Sequence, residues 1–160
     1  MPLSDQQIDD VWKFQISAEV RSLYFADLAN TYTVRKQWIT GASFFLSSGA
    51  AATLIAKLPA TVPIVLSLVV AIVTAYSIAV NLDSKIRTMV KLHGGWTQIS
   101  NDYKRLWNHT YADDAELEFE DLQRREAELS EVATIEAPDD RKRMLRWTDH
   151  VFKQHRLENA

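Results

Sequence analysis

The sequence predicts an all-α integral membrane protein, a hairpin of two transmembrane helices with cytoplasmic helices on its N-terminal and C-terminal sides. Three observations predict it. Between Lys36 and Asp83 the only charged residue is Lys57. Outside that window, apolar residues recur at helical spacing among dense charges. Basic residues gather on both flanks of the uncharged window, while its middle carries one. The reading divides the chain into an N-terminal helix (1–36), the hairpin with its continuation (37–93) and a charged helical region (94–160).

The first element starts at Ser4, which forms a capping box with Gln7 and has Asp5 in the favourable first turn. Ile8, Val11, Trp12, Phe14, Ala18, Phe25, Leu28 and Tyr32 give it a wide aromatic stripe. A single helix cannot bury such a stripe, so it must pack on later helices, on a neighbouring subunit or on the surface of a lipid leaflet.

Gln37 to Ala56 is a 20-residue stretch without a charge, and Leu58 to Leu82 adds 25 more uncharged positions. An α-helix of 20 residues measures about 30 Å, the thickness of the hydrocarbon core of a bilayer. Backbone groups in lipid must bond internally, so each stretch reads as a spanning helix. Pro59 and Pro63 bracket a turn placed near Lys57 to Val62, with the second span starting at Pro63. Arg35, Lys36, Lys85, Arg87 and Lys91 against Lys57 put both termini in the cytoplasm. Trp38 sits where an interfacial aromatic anchor is expected. The first span begins too far along the chain to resemble a cleaved signal peptide.

Gly41, Ser48 and Ala52 share one face of the first span, and small residues let helix backbones approach closely. Ser67, Thr74 and Asn81 recur every seven residues on the second, with Ser77 near that line. The stripe has two readings: hydrogen bonding between helices, or the lining of a water-filled path in an oligomer. Two helices cannot enclose a pore, so conduction requires a homo-oligomer.

The second span is expected to run on through Lys85, Arg87 and Lys91 until Gly94-Gly95 breaks or bends it. Trp96, Ile99, Tyr103, Leu106 and Trp107 restart a stripe, and Thr110 with Asp113 offers a weaker cap. Phe119, Leu122, Leu129 and Val132 continue as a short seam that Glu126 interrupts. After Ala137-Pro138, Asp139 and Asp140 open a last helix with Met144, Trp147, Val151 and His155 on one face. Residues Asp113 to Glu136 hold ten carboxylates against Arg124 and Arg125, and the last helix reverses the sign. A charge run is by default a solvated face. Arg141, Lys142, Arg143, Arg146, Trp147 and Lys153 are also candidate contacts for a partner or for nucleic acid, where cations meet phosphates and aromatic rings meet bases.

The absence of cysteine excludes a disulfide scaffold, a thiol nucleophile and a Cys-ligated zinc site. The net charge of -3 gives no global attraction to nucleic acid. No HExxH, GxGxxG, phosphate loop or GxSxG occurs. His93, His109, His150 and His155 lack metal-ligand spacing and read as surface residues. No catalytic constellation, cofactor site or metal site is expected, and the chain does not read as an enzyme.

The Tyr24–Trp38 approach, the small-residue first span, the Pro59/Pro63 turn and the second span running into Lys85 and Arg87 form a plan. It resembles that of the small two-transmembrane effectors of bacterial anti-phage systems, SLATT-like proteins and the effectors encoded beside retron reverse transcriptases. The resemblance is one of architecture and covers most of the chain. It implies a toxin-like effector in the bacterial inner membrane that permeabilises the membrane after infection is sensed. It also implies a restraining partner: a reverse transcriptase with its multicopy single-stranded DNA (msDNA), or a nucleotide-signal sensor. The alternatives are a non-conducting membrane anchor or scaffold and a holin-like phage protein.

Overall fold

A computed structural model describes residues 1–47 and 61–158, and every regular element among them is an α-helix. The helices are α1 (Asp5–Ser47), α2 (Thr61–Val80), α3 (Leu82–Trp107), α4 (Ala115–Glu136) and α5 (Arg141–Glu158). The chain divides into two compact units, one formed by Met1–Leu28 with Thr88–Ala160 and the other by Ala29–Arg87.

The first unit holds most of the core. Met89, Leu92, Trp96, Ile99, Tyr103 and Leu106 of α3 are at most 1% exposed. Their separations alternate between three and four, which keeps one seam of a helix turned inward. Val11 and Ala18 of α1 and Phe119 and Leu122 of α4 are buried in the same unit, and Phe119 meets Tyr103 of the seam edge-on at 6.5 Å. Phe14 stacks on Tyr103 at 5.8 Å between ring centroids and meets Phe119 at 6.1 Å. Burying one such side chain is worth about 1.5–3 kcal/mol, so each of the six α3 positions adds substantially to the unit's stability.

The capping box forms: the Gln7 amide donates to Ser4 Oγ at 3.4 Å, and the Ser4 amide donates to Gln7 Oε1 at 2.9 Å. The N-terminal segment is tied to the α3–α4 turn, with the Leu3 amide donating to the Thr110 carbonyl at 2.9 Å and the Glu116 amide donating to the Met1 carbonyl at 3.2 Å. Thr110 does not cap α4. Its N-cap is Asp114, whose side chain makes no capping bond. Asp140 does cap α5, accepting from the Arg143 amide at 3.0 Å. The last helix lies on α1 through Val151, Met144 and Trp147 against Trp12, Ile16, Val20 and Leu23.

The expected break at Gly94-Gly95 is absent, since α3 runs through both. The reason is packing. A Cβ at Gly95 would come within 2.9 Å of Leu129 Cδ1. Gly95 therefore lets α4 approach closely, a use of glycine that outweighs its low helix propensity.

The second unit contains the end of α1, all of α2 and the start of α3. Arg35 donates to the Tyr76 hydroxyl at 2.5 Å and lies 5.2 Å above its ring centroid. Lys36 pairs with Asp83 at 2.5 Å, and that bond holds the Asp83 carboxyl below its ordinary range. Two charges read as flanking signals are thus engaged between helices. Asn81 has φ 44°, a left-handed conformation that asparagine tolerates, and it separates α2 from α3. The second uncharged stretch consequently does not continue as one helix into Lys85.

Among the described residues, no helix is long and apolar enough to cross a membrane. This overturns the expected location in the inner membrane with both termini cytoplasmic, and the all-α class stands without its transmembrane hairpin. Within the described residues, α1 takes in only Gln37–Ser47 of the first stretch, where Thr40, Gly41 and Ser43 dilute the apolar content. At the other end α2 stops at Val80 against the left-handed Asn81. The expected turn lies, for Lys57 to Ala60, outside the described residues. Pro63 falls in the first turn of α2, where its missing amide removes no helical bond.

Candidate functional site

Three features of the molecule offer chemistry: an apolar face, a buried ionic cluster beside a pocket, and a charged helix surface.

The apolar face belongs to α2. Ile64, Val65, Leu68, Val69 and Ile72 are 46–69% exposed. At about 100° per residue they share one side of the helix. Val70 and Val73, on the other side, are half-buried. Ser67 and Thr74 are exposed as well and flank that side next to Ile64. Ser77's side chain lies outside the described residues, and Asn81 is the helix break rather than a member of a continuous stripe. An added Cβ at Gly41 meets nothing within 4 Å among the described residues. Ser48 and Ala52 lie outside the described residues.

The ionic cluster centres on Glu126, the residue that interrupts the apolar seam of α4. Its carboxylate accepts from Arg21 Nη1 and from the Tyr103 hydroxyl, each at 3.2 Å. Arg21 also donates to Ser130 Oγ at 3.0 Å and lies 4.5 Å above the Trp96 ring centroid. Burial pushes the Glu126 carboxyl above its ordinary value, with Arg21 and Tyr103 opposing the shift. Burial, reinforced by Glu126, pushes the Tyr103 hydroxyl far up as well. Next to the cluster lies a pocket of about 400 Å³, lined among others by Arg21, Trp96, Ser130, Thr134, Pro138 and Asp139. Trp96 is fully buried, and its indole Nε1 is a buried donor with no hydrogen-bond partner among the described residues. Reading the sequence missed this cluster. Its one signal was a carboxylate at a seam position, since a buried charge needs a partner.

The surface of α5 carries the predicted partner contacts, and the structure separates them. Arg143 and Arg146 turn to Asp27 of α1, and Trp147 Nε1 donates to the same carboxylate at 3.2 Å. Lys153 pairs with Asp149 at 2.6 Å. Arg141 and Lys142 are exposed. The histidines are not all surface groups. His93 Nδ1 lies 3.1 Å from the hydroxyl of buried Ser22, and His155 Nε2 lies 2.8 Å from Glu19 Oε2. Among the described residues no group of three or more histidines or carboxylates could hold a metal ion.

With these features known, the chain was compared with known protein families, curated proteins and solved structures. No family model, curated protein or solved structure matches it. Ser22 Oγ, which lines a second pocket with Glu19 and Thr97, lies 3.1 Å from His93 Nδ1 and 2.7 Å from Thr97 Oγ1.

Proposed function

We propose that the protein is a toxin-like effector of a bacterial anti-phage defence system, acting on lipid through α2 and held in check by a partner bound to its packed unit. The observation that carries this reading is the exposed aliphatic face of α2. Single exposed apolar residues are ordinary, but five large ones on one side of a helix mark an association surface. Each gains about 1.5–3 kcal/mol on full burial, so together they supply the drive to enter acyl chains and to gather copies. Assembled copies disturb lipid packing and let solutes leak. The restraining partner, a reverse transcriptase with its msDNA or a nucleotide-signal sensor, would hold the effector inactive until infection.

The test is release of an encapsulated dye from phosphatidylethanolamine–phosphatidylglycerol vesicles by the purified protein. Wild type is expected to release dye, and Leu68→Asp with Ile72→Asp to lower the rate at least tenfold while the helical content is kept. Intact vesicles in the presence of wild-type protein overturn the proposal. In cells, expression without the partner is expected to arrest growth, and the same pair of substitutions to relieve the arrest.

A further inference from the structure

The outward faces of α4 and α5 are complementary in charge and alike in apolar content. On α4, Glu120, Glu128 and Glu131 are exposed together with Leu117, Val132 and Ile135. At about 100° per residue these fall within one-third of the helix circumference. On α5, Arg141, Lys142, Lys153 and Arg156 are exposed around Leu145 and Phe152, which are 58% and 56% exposed. That face lies opposite Val151 and Met144, the residues that pack on α1.

Charges that look inward in this unit are matched within it. Arg21 meets Glu126, Arg125 meets Asp102, and Arg143 and Arg146 meet Asp27. The two outward faces differ. Each is dominated by one sign, with Arg124 (bonded to Asp121) the exception on α4 and Asp149 (paired with Lys153) the exception on α5, and each sets exposed apolar side chains among its charges. Opposite potentials orient an encounter and fix its register, and the apolar residues supply the area that holds it.

We infer that the basic outer face of α5 on one copy docks on the acidic outer face of α4 on a second copy. Leu145 and Phe152 then meet the apolar residues of α4, with carboxylates and cations pairing around them. This interface belongs to the packed unit and does not depend on α2, so it goes beyond the action on lipid.

The test is sedimentation of the full chain in mild detergent, which covers the α2 face, at low and high salt. Wild type is expected to self-associate at 50 mM salt and to do so at least tenfold more weakly at 500 mM, because exposed charges are screened. Glu128→Lys with Glu131→Lys should weaken association at least tenfold, and so should Arg141→Glu with Lys142→Glu. Mixing these two variants should restore association, since each reversed face then meets a face of opposite sign. Thermal unfolding of each variant checks that the fold is kept. A monomeric wild type, or variants that fail to associate when mixed, overturns the inference. So does a loss caused by the α5 reversal alone, which would assign that face to an acidic partner other than α4. Dye release separates the proposals: leakage with no α4–α5 association removes this interface only, and association with no leakage removes only the action on lipid.

Discussion

Glu126 shows how a single residue can be misread by pattern and explained by its neighbours. In the sequence it is a polar interruption between Leu122 and Leu129. In the fold it is the acceptor for half-buried Arg21 and for the hydroxyl of buried Tyr103, beside Trp96. Its folded carboxyl titrates above its ordinary value of 4.5. A carboxyl raised in this way adds stability that is present below the unfolded value and lost as pH rises through the folded one. The contribution of this group is therefore expected to grow as pH falls from neutral toward the ordinary carboxyl value of 4.5, and Glu126→Gln to remove it, measured as the difference between wild-type and variant denaturant midpoints across that range. The adjacent glycines give a second contrast. Nothing lies within 4 Å of a Cβ at Gly94, whereas one at Gly95 meets Leu129. Gly94→Ala should stabilise by about 1 kcal/mol, and Gly95→Ala by less or not at all, because Leu129 must move. Equal shifts in melting temperature for the two would remove the packing role of Gly95.

At the scale of elements, α5 is attached to α1 by an apolar strip and by two carboxylates, Asp27 and Glu19, the second meeting His155. Asp27 is 21% exposed and takes bonds from two guanidiniums and an indole. Removing it leaves Arg143 partly buried without this partner, and truncating one side of such a cluster costs several kcal/mol. Asp27→Ala is expected to raise amide exchange throughout 141–156 and to leave α3 protected. Unchanged exchange in α5 would show that Val151 and its apolar neighbours hold the helix alone. Asp140→Ala removes the N-cap and should cost about 1 kcal/mol, with fraying confined to the first turn of α5. The last helix was legible in detail, cap and apolar face included. Its basic residues were not, because sequence distance hides that Asp27 of α1 reaches Arg146 of α5.

For the whole molecule, the division is between a unit that buries its apolar residues and a unit whose α2 displays them. Met1–Leu28 with Thr88–Ala160 meets its aromatic stripe with its own later helices, one of the three options the N-terminal segment left open. In Ala29–Arg87, among the described side chains of α2, only Val70 and Val73 are half-buried while five large aliphatic side chains stay exposed. Under the proposed function, α2 would act on lipid and the packed unit would bind the restraining partner. Substituting Trp96→Leu, which keeps an apolar core side chain but removes the indole, is expected to destabilise the packed unit. Dye release by protein that remains folded should persist. A folded Trp96→Leu protein without leakage would place the activity in the packed unit instead.

By itself the sequence determined the helical class, the Ser4–Gln7 cap, the Trp96–Leu106 part of the α3 seam and the close of α4 at Pro138, because each follows from local spacing or from the chemistry of one or two residues. It also marked the long uncharged window, whose apolar content is a property of composition. Only the tertiary structure decided what those residues meet. It carried α3 through two glycines to admit Leu129, ended α2 at a left-handed Asn81, and paired Lys36 with Asp83 and Arg146 with Asp27. These outcomes depend on contacts between residues far apart in the chain, and no local pattern encodes such contacts.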